Sequence, residues 1–141
     1  METGTGINHL AVGDRVTINP IISCGQCPSC IKGRMNICPT RKVIGIDRTG
    51  AFANYVAVPA QTCFKLPDHV DDLSGSMVES LSNAIHIFDR SLQGMVDSVA
   101  ILGAGTQGLL ALQVASLIGV QKTIITDMVR SRLEMAKHFG A

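Results

Sequence analysis

Ser98-Val99-Ala100-Ile101-Leu102-Gly103-Ala104-Gly105-Thr106-Gln107-Gly108 is the stretch whose reading decides the fold. Ser98 to Leu102 is a short, mostly apolar run of strand length, and Thr106 to Ile118 is apolar at helical spacing. Between them, Gly103 to Gly108 matches the pattern G-x-G-x-x-G. The pattern is weak evidence alone. It becomes strong where, as here, it follows a strand and opens a helix. Gly103 suits a tight turn, Gly105 lets a pyrophosphate reach the backbone, and Gly108 lets helix and strand pack closely. Thr106 and Gln107 fill the positions where the helix opens, so free N–H groups and the positive end of the helix dipole face a phosphate there.

Working downstream, Lys122 to Thr126 reads as a second strand and Val129 to Phe139 as a second helix, closed by Gly140. Asp127 stands at the end of that strand, 19 residues after Gly108. A carboxylate there accepts hydrogen bonds from ribose hydroxyls and repels a 2′-phosphate, which favours NAD over NADP. Arg130 is close enough in sequence to soften that preference, although a solvated first-turn role is the plainer one. The candidate cofactor residues are therefore Gly103, Gly105, Thr106, Gln107, Gly108 and Asp127. The alternative is a Gly-rich βα turn that holds no ligand. Upstream, Met77, Val78, Leu81, Ala84, Ile85 and Phe88 recur at helical spacing, predicting an amphipathic helix over 74–90.

Before Pro67 the pattern changes to Gly, Pro, Cys and short β-type runs. Arg15-Val16-Thr17-Ile18, Gly50 to Val58, and Cys63-Phe64-Lys65-Leu66 are the strand signals. Within this half lies Cys24-x2-Cys27-x2-Cys30-x7-Cys38. Four thiolates satisfy a tetrahedral zinc ion, and four protein ligands leave no open position, so the site would be structural. Gly25 and Pro28 suit the tight turns, and Gly33 lets the loop swing back to bring in Cys38. An iron–sulfur cluster is the rival, but the ferredoxin run has x3 before its last Cys. A nucleic-acid zinc ribbon would pair two separated Cys-x2-Cys knuckles with basic and aromatic residues.

The 141 residues are 46% hydrophobic and carry 12 basic against 11 acidic side chains, a net charge of +1. No basic face is implied, which argues against nucleic acid and anionic membrane as partners. The most apolar stretch, Leu109 to Val120, is too short to span a bilayer. The N-terminus has no signal-peptide pattern. Clustered cysteines in such a chain fit a reducing, cytoplasmic setting.

Gly13-Asp14-Arg15-Val16, the cysteine loop, Gly50-Ala51-Phe52-Ala53-Asn54-Tyr55, the Gly103 motif and the closing Arg132 to Ala141 stand in the order they take in the zinc-containing medium-chain alcohol dehydrogenases, which the whole chain resembles. Gly45 to Ala53 with Asn83-Ala84-Ile85-His86 is most similar to the threonine and polyol dehydrogenases. The resemblance implies an α/β plus β chain. Residues 1–68 would be part of a GroES-like domain with a structural zinc lobe at 24–38. Residues 69–141 would be a linker helix and the first β-α-β-α of a Rossmann domain. By position, Cys24, Cys27, Cys30 and Cys38 would hold zinc, and the Gly103 motif with Asp127 would bind NAD.

Glu79 aligns with an acid near the family's catalytic zinc, although Ser80 follows it where the family often has proline. His86 is expected to pack or face solvent, His9 to lie in a loop, and Cys63 to be a buried strand residue. The family places a catalytic Cys and a Gly-His-Glu segment upstream of Gly13, and only 12 residues precede Gly13 here. The expectation is therefore a central piece, inactive alone, of an oxidoreductase. Its parent would transfer hydride between NAD and a secondary alcohol of a small polyol or hydroxy amino acid, and would be a homo-oligomer. The other reading is non-enzymatic: a zinc-stabilised remnant that binds a partner, or itself, through the bare edges of a two-stranded sheet.

Overall fold

The computed structural model describes residues 2–91 and 96–141. By packing, the chain divides into two compact units, Met1–Ser76 and Met77–Ala141.

The first unit is built from short antiparallel pairs. Strand β1 (Val16–Ile18) pairs with β4 (Cys63–Lys65), Val16 opposite Lys65 and Ile18 opposite Cys63. Side chains reinforce the pair at its end: Lys65 Nζ lies 2.6 Å from an Asp14 oxygen, and the Ala11 N–H donates to the other at 2.9 Å. Arg15 donates to Asp72 at 2.8 Å and to the carbonyl of Pro67 at 3.2 Å, fastening β1 to the chain beyond β4. A second pair, β2 (Ile21–Ile22) with β3 (Lys42–Val43), closes the base of the cysteine loop. Inside that loop is one helical turn, α1 (Pro28–Ile31), with proline at its first position, where the missing N–H costs nothing. A short helix α2 (Asp72–Ser76) ends the unit.

The stretch Gly50 to Val58, expected as a strand, is irregular, with bends over 51–54, and among the described residues no strand pairs with it. Its aromatic residues are bare, Phe52 at 113% and Tyr55 at 80% exposure. The composition is right for a strand, but a strand needs a ladder partner. The predicted helix over 74–90 is in fact two helices separated at Met77: α2, and α3 (Val78–Ser91) in the second unit.

The second unit is an α/β layer. Strands β5 (Ser98–Leu102) and β6 (Lys122–Thr126) run parallel, Ser98 opposite Lys122 and Leu102 opposite Thr126. The crossover is helix α4 (Thr106–Leu117), and α5 (Arg130–His138) follows β6. Helix α4 is apolar nearly all round because it is packed on two sides. Ala111, Val114 and Ala115 meet Ala84 and Phe88 of α3. Leu112 meets Ala104 and Ala136 of α5. The strands alternate: Val99, Ile101 and Ile125 pack against the helices, while Leu102 and Ile124 are exposed. No described helix is long and apolar enough to cross a membrane.

Candidate functional site

The four cysteines of the loop converge. Cys27 and Cys30 are brought together by α1, one at its N-cap and the other within it. Gly33, at φ +74°, reverses the chain and donates its N–H to the Cys30 carbonyl at 2.9 Å. A short 3-10 turn, Met35–Ile37, then delivers Cys38, which is fully buried. The sulfur separations are 3.5 Å for Cys27–Cys30, 3.6 Å for Cys38–Cys24, and 3.9 Å for both Cys24–Cys30 and Cys27–Cys38. All four ligand atoms lie within 4.8 Å of one another. A tetrahedral zinc with thiolates at about 2.3 Å sets its sulfurs about 3.8 Å apart. The cage therefore fits a closed zinc site.

Polar contacts prepare these sulfurs for negative charge. The backbone N–H groups of Gln26 and Cys27 hold the Cys24 thiol below its ordinary range. The backbone at Cys24 and the Thr40 side chain bring Cys38 down to about 6. At Cys27 the Cys30 N–H pulls the same way, but burial and the three neighbouring thiols outweigh it and push the group up to about 11. A cation at the centre would remove that conflict, because it neutralises the crowded sulfurs together. Thr40, whose hydroxyl lies 3.5 Å from the Cys38 sulfur, joins the site although the cysteine spacing gives no sign of it.

The glycine turn has the three properties its pattern implies. Gly103 sits at φ +108°, a conformation that side chains rarely adopt. A methyl group on Gly108 would overlap the Gly103 carbonyl oxygen, so only glycine lets α4 approach β5 this closely. Gly105, the N-cap of α4, faces open space, with no atom within 4 Å of where its Cβ would be. No side chain caps the helix, leaving the first-turn N–H groups, those of Thr106 and Gln107 among them, free for an anion.

Asp127 is already engaged. One oxygen accepts the Ala104 N–H and the other the Val129 N–H, each at 2.8 Å. These two N–H groups, Val129 first, hold the carboxyl below its ordinary value, with Arg132 adding to the effect. Arg132, 3.6 Å from Asp127, is the cation beside the acid, whereas Arg130 turns away to Glu134 at 3.2 Å. Arg132 is five residues on, and without the bend between β6 and α5 that spacing carries no signal.

Glu79 is exposed on the first turn of α3, where it accepts from the Asn83 amide at 3.2 Å. Among the described residues, the cysteine cage is the only group of three or more potential metal ligands, and Glu79 is not in it. His86 is exposed. His9 lies in a loop, 3.2 Å from the Ala60 carbonyl. Cys63 is half-buried on β4.

A four-thiolate lobe in a β-rich unit, followed by an open glycine βα turn with an acid ending the next strand, defines a class: α/β proteins with a zinc-type cysteine lobe and a dinucleotide-type turn. Residues 1–68 match the alcohol dehydrogenase GroES-like domain. The chain is 40% identical to a sorbitol dehydrogenase of Arabidopsis thaliana, across 99% of itself and 39% of that protein. It is 36% identical to an L-threonine 3-dehydrogenase of Pseudoalteromonas atlantica, across 100% of itself and 41% of the relative. Among solved structures, it superposes with a TM-score of 0.93 on a putative zinc-binding dehydrogenase of Sinorhizobium meliloti bound to NADP, at 39% identity over 99% of this chain and 41% of that one. An Escherichia coli alcohol dehydrogenase complexed with NADH also gives 0.93, at 36% identity over 99% and 42%. Residues 1–68 thus carry the alcohol dehydrogenase GroES-like domain, and the chain as a whole is similar to zinc-binding dehydrogenases. It spans about two fifths of the length of the curated relatives it matches.

Proposed function

We propose that this chain carries the structural zinc lobe and the NAD-binding turn of a dehydrogenase that transfers hydride between NAD and a secondary alcohol of a small polyol or hydroxy amino acid. The observation that carries the reading is the glycine turn: left-handed at Gly103, closed at Gly108, and open above Gly105. Cys24, Cys27, Cys30 and Cys38 hold zinc as a brace for the loop, with no position left for substrate. Gly103, Gly105, Thr106, Gln107 and Gly108 receive the pyrophosphate. Asp127 receives the ribose hydroxyls through the lone pairs its two backbone partners leave unused. When bound, the nicotinamide accepts or returns the hydride. Glu79 is the candidate ligand for a second, catalytic metal. The substrate classes follow the relatives, one named for sorbitol and one for threonine.

Isothermal titration with NAD tests the reading. Saturable binding that Gly105→Ala abolishes supports it, and no binding at millimolar NAD overturns it.

The second reading, a zinc-braced interaction protein without alcohol chemistry, is favoured by one specific observation: Leu102 is 86% exposed and Ile124 50% exposed on the uncovered side of the sheet. Turnover of an alcohol with NAD would rule it out.

A further inference from the structure

The parallel ladder ends at Leu102 opposite Thr126, with the Gly103 N–H donating to the Thr126 carbonyl at 2.8 Å. The next N–H along the chain is that of Ala104, inside the glycine turn. It donates at 2.8 Å to the Asp127 side chain, not to a main-chain carbonyl. The other Asp127 oxygen closes a local turn on Val129, the N-cap of α5, also at 2.8 Å. One carboxylate thus joins the glycine turn, just past the end of the ladder, to the start of α5. Ala104 is fully buried, so its N–H would find no water if the acid were removed. The carboxylate side chain itself is only 9% exposed.

From this we infer that Asp127 is a positioning residue as well as a ribose acceptor. It builds the phosphate-receiving turn before any nucleotide arrives. The inference rests on the NAD-binding reading for its consequence but not for its geometry, which exists without a ligand. Its consequence concerns cofactor choice. If the acid were only a gate against a 2′-phosphate, neutralising it would admit NADP. If it is a strut, neutralising it spoils the turn for both nucleotides, because the pyrophosphate cradle is common to them.

The test compares the wild-type chain with Asp127→Asn, which keeps the shape but offers one acceptor for two N–H groups. Asp127→Ser is the second variant; its hydroxyl reaches Val129 but not Ala104. Amide hydrogen exchange is measured without nucleotide. The expected result in Asp127→Asn is exchange at Ala104 faster by on the order of tenfold, the cost of one hydrogen bond to a charged acceptor, with Leu112 in α4 unchanged. If Leu112 also loses protection, the unit has opened as a whole, and Asp127→Ser decides: the inference expects Ala104 to accelerate more than Val129. Unchanged exchange at Ala104 in the folded variants overturns the inference. NAD and NADP titrations form the second arm, in which both nucleotides weaken together. Tighter NADP binding by Asp127→Asn overturns the inference in favour of a simple charge gate. A wild-type chain that binds neither nucleotide sinks the NAD reading and leaves the exchange arm to judge the strut.

Discussion

Gly108 lies against the carbonyl of Gly103, so close that a methyl group on the former would overlap the oxygen of the latter. Three residues earlier, Gly105 meets nothing. Two glycines of one motif are therefore constrained differently, Gly108 by the packing of the chain and Gly105 by no atom of it within reach. Gly108→Ala must push α4 off β5 and should cost about 1–3 kcal/mol, as forced overpacking does. Gly105→Ala should change stability by no more than about 1 kcal/mol, the range of an altered N-cap, yet block the phosphate. Denaturant unfolding and NAD titration on the two variants check the split. Equal stability losses would refute it.

The cysteine cage predicts about one zinc per chain, since four thiolates make one closed tetrahedral site. Cys38→Ser removes the one ligand that is fully buried. It should drop the zinc content towards zero and loosen residues 23–41, because the metal's binding energy is folding energy for such a loop. A strong chelator should do the same to the wild type. Cys63→Ser should keep its zinc, because Cys63 lies on β4 outside the cage. Elemental analysis of the purified proteins reads all three outcomes. Iron in place of zinc would remove the structural-zinc assignment.

Much of this was legible in the chain because the signals are local. β5, α4 and β6 fall where apolar runs and the glycine motif put them, and the cysteine spacing alone brings four sulfurs together. What was not legible depends on partners distant in sequence. Gly50 to Val58 has strand composition, but no property of its own residues announces whether a second strand lies beside it. β2 and β3 are two residues each, too short to show an alternation. The predicted helix breaks at Met77, two residues after Gly75, and the apolar spacing that runs through both shows no gap there. The bond from Ala104 to Asp127 spans 23 positions and uses a backbone N–H, which no residue type reveals.

Acid should act on the carboxylates that the fold holds ionised. Asp14, paired with Lys65, Asp71, bonded to the Ser74 backbone and hydroxyl, and Asp127 are all held below the ordinary value of 3.8. Folding therefore favours their charged forms. The stability they contribute is present above 3.8 and is lost as pH falls through the lower folded values. Lys65 is shifted the other way, raised above 10.5 chiefly by its hydrogen bond to Asp14. Its contribution is complete below 10.5 and is lost as pH rises through the higher folded value. Thermal melts should show a Tm that these groups leave level between those limits and lower at each end. Asp14→Asn should flatten the acid-side fall and the Lys65 contribution together, since the two share one contact of 2.6 Å. A variant that flattens only one side would show that the pair is not coupled.

The last prediction concerns the uncovered side of the β5–β6 sheet. Parallel strands are ordinarily buried on both faces. Here Val99, Ile101 and Ile125 are covered by helices, while Leu102 and Ile124 are exposed. Among the described residues each strand is also an edge, since the sheet pairs β5 with β6 alone. Exposed apolar groups beside an open edge favour association. The chain as given should sediment with a mass that rises with concentration. Leu102→Lys together with Ile124→Lys should suppress that rise while changing stability by no more than about 0.5 kcal/mol, since neither side chain is in a core. Lysine on the edge also disfavours strand addition by another copy. A wild-type chain that stays monomeric at every concentration would leave the interaction-protein reading without its one supporting observation. A double variant that still associates would place the contact elsewhere, with the exposed Ile31, Met35 and Ile37 of the zinc lobe the next surface to change.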